Sequence, residues 1–182
     1  MRLYIGIDLP PQVKQLLFQF QLRLKGLGVT GGWKAPEYFH ITLEFLGELP
    51  PESIPMLEQI IEVVISDKKK FKLQIDKLGA FPSFHRPHTL WAGVAGNTTQ
   101  LDELWSELHE QLERKGFVLQ KAPFKPHITL LTRPKVLPPD LTSFPLRHTS
   151  FTLSEIILFE SRVEEDRRVY PQLYHAVLKR NK

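Results

Sequence analysis

The sequence predicts an α+β protein with antiparallel strands and outer helices, arranged as two similar lobes around a central cleft. Segments in which apolar and polar residues alternate recur between amphipathic helical segments along the 182-residue chain. One tetrapeptide occurs twice, and a comparable run of strand, helix and strand surrounds each copy. Hydrophobic residues make up 42% and charged residues 24% of the chain, which is typical of a protein that buries a core. We therefore expect residues 1–182 to form a single bilobal domain with two interleaved lobes.

The first half of the chain is predicted to form a strand, a helix, an extended segment and a second helix, in that order. Residues 2–9 alternate as a strand, and Pro10-Pro11 then favours the start of a helix, where a missing N–H costs nothing. Residues 33–46 are predicted to be extended, with Pro36 arguing against a helix at their start. The apolar positions with helical spacing are Val13, Leu16, Leu17, Phe20, Leu24 and Leu27 in the first helix and Ile54, Leu57, Ile60, Ile61 and Val64 in the second.

The second half is predicted to form two strands, a third helix and three further strands, in that order. Alternation predicts strands over 71–75 and 89–94, with a loop bearing Pro and His residues between them. Residues 123–131 look extended, and a Pro-rich connection over 134–145 leads to the last two strands, 151–159 and 173–178. The third helix is indicated by Leu101, Leu104, Trp105, Leu108 and Leu112, with Asn97, Thr98 or Thr99 as its N-cap and Gly116 as its stop.

The composition excludes several kinds of chemistry. The chain has no Cys, so it cannot use a disulfide framework, a thiolate nucleophile, a CxxC redox pair or a thiolate metal site. Catalysis would have to use His, carboxylates, hydroxyls or Lys. With 24 Lys and Arg against 20 Asp and Glu the formal charge is +4, which favours an anionic partner. A phosphate-bearing small ligand explains this modest excess as well as a nucleic acid does.

No apolar run approaches the ~18 residues that a membrane span needs. The N-terminus reaches Asp8 and then Pro10-Pro11 too soon for a signal peptide. We therefore expect no membrane association and a cytoplasmic location.

The repeated tetrapeptide is His-Ile-Thr-Leu, at residues 40–43 and again at residues 127–130. On a strand, side chains alternate between faces, so His40 and Thr42 would project together while the apolar residues go to the opposite face. His127 and Thr129 would do the same. A helix would turn residue i+2 about 200° away and separate each pair. Each strand is therefore predicted to present one imidazole and one hydroxyl toward a shared surface.

Two such pairs facing each other suit displacement at phosphorus. An imidazole with a pKa near 6.5 can give or take a proton at neutral pH. One His would activate water while the other protonates the departing oxygen, and the two Thr hydroxyls would hold the non-bridging oxygens. A ribose 2′,3′-cyclic phosphate is a fitting substrate. The two copies are nearly symmetric, so the residues alone do not assign the acid and the base.

At this point the sequence resembles a known family, the 2H phosphoesterases, and is most similar to the bacterial RNA 2′,3′-cyclic phosphodiesterases once called 2′-5′ RNA ligases. The resemblance rests on the twin His-x-Thr-x motifs and on the segments Phe45-Leu46-Gly47-Glu48, Gly79-Ala80-Phe81-Pro82 and Leu90-Trp91-Ala92-Gly93-Val94. It covers nearly the whole chain. It implies a bilobal fold with a central cleft and hydrolysis of 2′,3′-cyclic phosphate ends to 2′-phosphate, without a cofactor or metal.

The resemblance also implies roles for individual residues. His40 would be the proton donor to the departing 3′ oxygen, and His127 would be the proton acceptor that activates water. Thr42 and Thr129 would bind the phosphate. The partners would be RNA ends or nucleotides that bear a 2′,3′-cyclic phosphate, and the expected state is a monomer.

Two positions depart from the family pattern. The family often has a basic residue directly after the first motif, whereas this chain has Glu44, which would share a face with His40 and Thr42 if the strand continued regularly. The family also often carries Arg two residues after the second motif. Here that place is Thr132 and Arg133 follows, so a bulge or turn would have to redirect Arg133 toward the phosphate.

The remaining candidates are weaker. Among the aromatic residues, Phe84 is the candidate for stacking on a base, because its loop neighbours suggest exposure. His85 and His88 lack acidic or Cys neighbours at ligand spacing, so no metal site is predicted there. His109 is interpreted as part of a solvated helix face. The Arg residues of 162–168 alternate with acids and are interpreted as a charged hairpin connection.

Three other functions stay open on the sequence. The same site could support 2′-5′ RNA ligation or hydrolysis of a small nucleotide-derived cyclic phosphate. A nucleotide- or RNA-binding module without catalysis is a further alternative, although binding alone does not need two proton-transfer groups.

Overall fold

The computed structural model describes residues 1–182 and contains three α-helices and eleven strands. The helices are α1 (Pro11–Gly26), α2 (Ile54–Ile65) and α3 (Thr98–Arg114). The strands are β1 (Arg2–Asp8), β2 (Thr30–Trp33), β3 (His40–Glu48), β4 (Phe71–Phe81), β5 (Thr89–Gly96), β6 (His127–Lys135), β7 (Ser150–Leu153), β8 (Glu155–Glu160), β9 (Arg162–Glu164), β10 (Arg167–Val169) and β11 (Gln172–Val177).

The strands form two antiparallel sheets and a separate hairpin. The first sheet has the order β11-β8-β1-β3, and the second has the order β2-β6-β5-β4-β7, while β9 pairs with β10. The predicted α+β class with antiparallel sheets is confirmed, and the strand arrangement is compatible with two lobes. The chain passes between the sheets repeatedly, since β2 joins the second sheet and β8 and β11 return to the first.

The helices bury most of the faces that their spacing predicts, except that Leu27 lies beyond the end of α1 and is exposed. In α1, Pro11 occupies the first turn and Val13, Leu17, Phe20 and Leu24 are buried. Gln21 is also buried, and its amide donates hydrogen bonds to the carbonyls of Lys34 and Leu130. This polar contact ties α1 to the strand that carries the second motif. One cluster of 39 buried hydrophobic residues draws on all three helices and both sheets.

Two predicted extended segments are each divided. The segment 33–46 is interrupted by a 3-10 turn over Pro36–Tyr38, so β2 and β3 lie in different sheets. The segment 151–159 is broken at Ser154, and its halves also join different sheets. Alternation of residue types does not reveal such a transfer, because both halves keep their strand pattern while they change partners.

The strands that carry the two motifs are bulged at the same place. On β3, Thr42 pairs with Gly6 and Glu44 pairs with Ile5, so Leu43 is the extra residue. On β6, Thr129 pairs with Trp91 and Leu131 pairs with Leu90, so Leu130 is the extra residue. Each bulge falls on the last residue of the tetrapeptide. After it, the side chains that would have faced the site face away from it, and their neighbours face the site instead.

Gly79 on β4 leaves room for a neighbouring indole. Gly79 pairs with Trp91, and a Cβ atom added at Gly79 would lie 2.1 Å from the Trp91 ring. The indole therefore crosses the strand where only glycine leaves space for it.

We predict that Gly79→Ala lowers the free energy of unfolding by about 1–3 kcal/mol, because the added methyl forces Trp91 out of its position. Urea unfolding followed by circular dichroism measures this. The control is Gly26→Ala at the end of α1, where an added Cβ meets no atom within 4 Å. Equal stability of the two variants would contradict the close packing of Trp91 on Gly79.

Candidate active site

The two motifs begin two strands that meet between the sheets. His40 is the first residue of β3 and His127 the first of β6, and these two strands contact each other although they belong to different sheets. On each strand the His and the Thr are partly exposed, while the Ile between them is fully buried. The alternation predicted for each motif therefore holds as far as its Thr.

The two imidazoles are held in the same way. His40 Nδ1 lies 2.7 Å from the carbonyl oxygen of Tyr38, and His127 Nδ1 lies 2.6 Å from that of Lys125. A carbonyl accepts only, so each Nδ1 carries the hydrogen and donates it. Each Nε2 is then the nitrogen that remains free to exchange a proton with a ligand.

Aromatic rings surround both imidazoles. The His40 ring centroid lies 4.9 Å from that of Tyr4, and 5.8 Å from those of Phe159 and Tyr170. His127 meets the Phe81 ring at 4.8 Å and 89°, and Trp91 at 5.8 Å. This packing fixes the ring orientations and removes water from one side of each imidazole.

The pKa of His40 is lowered from 6.5 to about 4, mainly by burial; the nearby Lys34 and His127 contribute to the lowering, and the Tyr38 carbonyl and Asp8 oppose it. Burial also lowers the pKa of His127 below 6.5, although its hydrogen bond to the Lys125 carbonyl raises it. Burial, followed by the charge of Arg168, lowers the pKa of Lys34 to about 8. Both imidazoles are therefore neutral at pH 7 when no anion is bound.

A cavity of about 300 Å³ lies on the His40 side of the site. Two cations, Arg2 and Arg168, line it, and neither forms an ion pair with a carboxylate. The Tyr4 hydroxyl is fully buried without a hydrogen-bond partner, and burial raises the pKa of this phenol, which keeps it neutral. The other lining residues are His40, Thr42, Phe45, Ser161 and Tyr170. The cavity thus holds hydrogen-bond donors and positive charge, and no acid.

A second cavity, of about 510 Å³, lies on the His127 side. It shares Thr42 and Phe45 with the first cavity, so the two adjoin at the first motif. Its further lining residues are Leu43, Glu44, Phe81, Trp105, Gln120, Ala122, Pro123, Phe124, Lys125 and His127.

The prediction for Glu44 is wrong. The bulge at Leu43 shifts the strand by one residue, so Phe45 joins His40 and Thr42 along the first cavity. Glu44 is only 6% exposed and lies against α3, where its Oε1 accepts hydrogen bonds from Trp105 Nε1 at 2.8 Å and His109 Nδ1 at 2.6 Å. His109 is consequently not part of a solvated helix face, because it contacts a buried acid.

The structure does not bring the two weaker candidates to the cavities. Arg133 is exposed and has a left-handed backbone with φ of 48°, and the bulge at Leu130 precedes it, yet it does not line either cavity. Phe84 is partly buried and packs on the main hydrophobic core, and it lines neither cavity. Thr129 also lines neither cavity, but it lies beside His127 on β6 and is partly exposed. The described chain has no cluster of three or more His, Asp or Glu residues with the spacing of a metal site.

Two residues near the site, Arg168 and Lys34, have no signal in the sequence that predicts their role. Arg168 does lie on the predicted charged hairpin, but its guanidinium reaches Ser161 Oγ at 2.8 Å and lines the first cavity. Lys34 lies over the Tyr170 ring, with its Nζ 3.7 Å from the ring centroid. Only the excess of positive charge pointed to these residues, because Lys34 follows β2 and Arg168 lies in β10, far apart along the chain.

Comparisons with known proteins show the family to which the chain is related. The model of the family described as LigT like phosphoesterase matches residues 7–91. An RNA 2′,3′-cyclic phosphodiesterase of Archaeoglobus fulgidus is 30% identical over 167 residues, which cover 91% of this chain and 90% of that protein. Another from Geobacillus stearothermophilus is 30% identical over 166 residues, or 89% of this chain, and the match spans 52% of that longer protein.

A solved structure, Escherichia coli LigT complexed with 3′-AMP, superimposes with a TM-score of 0.78 at 26% identity, covering 97% of both chains. The chain belongs to the family of LigT-like phosphoesterases. The resemblance seen in the sequence is thereby confirmed. None of the three α-helices is long and apolar enough to pass through a membrane.

We predict that the His40 ring titrates with a midpoint near pH 4 rather than 6.5 in the ligand-free protein. The folded pKa is the lower one, so the unfolded chain binds more protons between these values and stability falls as the pH drops through this window. NMR titration of the imidazole signals, assigned with His40→Asn, measures the midpoint. Lys34→Met should raise it, because a nearby cation is lost, whereas an unchanged midpoint would contradict the proximity of Lys34.

Proposed function

We propose that this protein hydrolyses the 2′,3′-cyclic phosphate ends of RNA to 2′-phosphates by acid–base catalysis with two histidines. One observation carries the proposal: two His-x-Thr pairs on contacting strands, each imidazole held through Nδ1 by the carbonyl two residues before it. Relatives named RNA 2′,3′-cyclic phosphodiesterase support the same activity, and the LigT complex with 3′-AMP supports a nucleotide ligand.

In the proposed reaction, His127 Nε2 takes a proton from water as the water oxygen forms a bond to phosphorus. The bond from phosphorus to O3′ breaks, and O3′ receives the proton of His40 Nε2. The hydroxyls of Thr42 and Thr129 donate hydrogen bonds to the non-bridging oxygens. The product keeps its phosphate on O2′, and the two imidazoles have exchanged protonation states. The assignment of His40 as the acid follows the family resemblance.

The lowered pKa values make proton donation depend on the substrate. An acid must carry a proton, yet burial keeps His40 neutral at pH 7 in the free protein. A phosphate bound beside the ring raises this pKa, because a nearby anion stabilises the imidazolium. Binding of the anionic substrate thus increases the fraction of His40 that is protonated and able to act as the acid.

The first cavity supports an RNA end rather than a mononucleoside as the preferred substrate. The 5′ side of a ribose continues from C4′, next to the C3′ that carries the leaving oxygen, so it extends toward the His40 side. There Arg2 and Arg168 lack carboxylate partners, and the Tyr4 hydroxyl lacks any partner. We assign the two arginines of this cavity to the phosphate that joins the last nucleotide to the RNA chain, and its His40 and Thr42 to the reacting phosphate.

The domain organisation, oligomeric state and cellular location of the protein belong to the same proposal. Residues 1–182 act as one domain of two interleaved lobes, because each sheet contributes one motif to the site. A monomer suffices, since a single chain supplies both motifs. A cytoplasmic location is part of the same proposal, and the proposed substrate, an end left by RNA cleavage, is compatible with it.

We predict turnover of nucleoside 2′,3′-cyclic phosphates in EDTA, with the 2′-phosphate as product. His40→Ala and His127→Ala should each lower kcat by about 10²–10⁴-fold, because each removes a proton-transfer group. Chromatography of the products measures both. His85→Ala in the 82–87 loop is the control. Turnover unchanged in both active-site variants, or absent from the parent, would contradict the proposal, and binding without turnover would indicate a nucleotide-binding module.

The same assay tests the direction of the pKa shifts. Activity needs a protonated acid and a neutral base, and the pKa values of both histidines lie below 6.5 in the free protein. The kcat/KM should therefore peak between about pH 4 and pH 6.5 and fall at higher pH. This profile is the same whichever His is the acid. A maximum well above pH 7 would contradict the burial of the two rings.

We predict that Arg168→Ala lowers kcat/KM for an oligoribonucleotide cyclic phosphate by about tenfold, since a charge-assisted contact to phosphate is lost. The kcat/KM for the mononucleoside cyclic phosphate should change little. The control is Arg167→Ala, the neighbouring exposed residue that does not line the cavity. Equal losses on both substrates would show that Arg168 serves the reacting phosphate instead.

A further inference from the structure

The second cavity has flat aromatic walls and borders the reacting groups. Trp105 stacks on Phe124 with ring centroids 5.0 Å apart and planes at 7°. Phe45 and Phe81 line other parts of the cavity, and Thr42 and His127 lie at its border with the site. A cavity of about 510 Å³ with walls of this kind has the size and the surface that a purine or pyrimidine ring needs for stacking.

Glu44 supplies a specific polar feature on this wall. Both of its hydrogen bonds from α3 reach the same oxygen, Oε1, and Oε2 has no partner in the chain. Only the Tyr4 hydroxyl and the Trp91 indole nitrogen are fully buried without a partner, so Oε2 keeps some exposure, and Glu44 lines the cavity. A carboxylate that is 94% removed from solvent favours a hydrogen-bond donor in the cavity, because it is poorly hydrated.

Charge is divided between the two ends of the cavity. Lys125 lies at the His127 end, where its Nζ is 5.5 Å from the Phe81 ring centroid and 5.1 Å from that of Trp91. Glu44 lies on the wall toward α3, held there by Trp105 and His109. The cation therefore faces the place proposed for the phosphate, and the carboxylate is left for a neutral donor group.

We propose that this cavity binds the nucleobase of the substrate, and that Glu44 Oε2 accepts a hydrogen bond from an exocyclic amine of the base. In a nucleoside 2′,3′-cyclic phosphate the base is attached to C1′, next to C2′, so a phosphate held by Thr42 leaves the base within reach of this cavity. Adenine, cytosine and guanine carry such an amine. Uracil has none, and its one ring donor, N3–H, lies between two carbonyl oxygens that a carboxylate repels. The inference rests on the proposed function, and it makes Glu44 the residue that selects the base.

The test compares kcat/KM for the four nucleoside 2′,3′-cyclic phosphates in the parent protein and in Glu44→Gln. The parent should favour the three amine-bearing bases over uridine by about tenfold or more, since an unpaired buried acceptor is costly. In Glu44→Gln the amide oxygen can still accept from Trp105 and His109, and the amide nitrogen turns a donor toward the cavity. The preference should then fall at least tenfold, with turnover of the uridine substrate kept or raised.

Glu103→Gln is the matched control, because Glu103 is an exposed acid of the same helix that carries Trp105 and His109. It should keep the parent's order of bases. Calorimetric titration of the parent with the four nucleoside 2′-phosphates gives a second readout that needs neither turnover nor a variant, and it should show the same order.

Each outcome decides between the two proposals. Turnover with equal kcat/KM for all four bases overturns the base-binding inference while the phosphodiesterase stands. A preference that survives in Glu44→Gln overturns the role of Glu44. Base-ordered binding without turnover of any substrate supports the cavity's role and overturns the proposed reaction instead.

Discussion

The site depends on the pairing of β3 with β1 and of β6 with β5, each with a bulge at the last residue of its tetrapeptide. Regular pairing up to Thr42 and Thr129 sets one imidazole and one hydroxyl on the same side of each strand. The bulge then reverses the order, so Glu44 leaves the face of His40 and goes under α3 while Phe45 replaces it. Without that one-residue shift, a carboxylate would stand beside the proposed phosphate and repel it.

A second dependence links packing to proton transfer. The rings of Tyr4 and Phe159 around His40, and of Phe81 and Trp91 around His127, hold the imidazoles in place and lower their pKa values by removing water. This costs stability at acidic pH, since the unfolded chain takes up protons more readily. The positive charges of Lys34, Arg2 and Arg168 near the same site are compensated when an anion binds. The site thus carries positive charge that no acid compensates until an anionic ligand binds.

Much of the fold followed from periodicity. The helix beginning at Pro11 and the strands that carry the motifs were predicted because their patterns are local and regular. His109 and Glu44 were misjudged because their contact joins residues 65 positions apart and depends on a bulge, which has no signature in the alternation of residue types. Phe84 was chosen from the polarity of its loop neighbours, but its ring packs on the core. Exposure is set by what folds over a residue, and its neighbours in the chain do not reveal this.

Composition and one repeat already limit the chemistry: the chain has no thiolate, seven histidines, and one tetrapeptide repeated so that two His-Thr pairs can be presented on strands. The sequence also predicts the α+β class, because the spacing of apolar residues differs between strands and helices. The surroundings of those pairs depend on long-range folding. Arg2 and Arg168 come from opposite ends of the chain, and Glu44 meets Trp105 and His109 across two elements. Such convergence results from sheet order and long-range packing, which bring together residues that no local pattern connects.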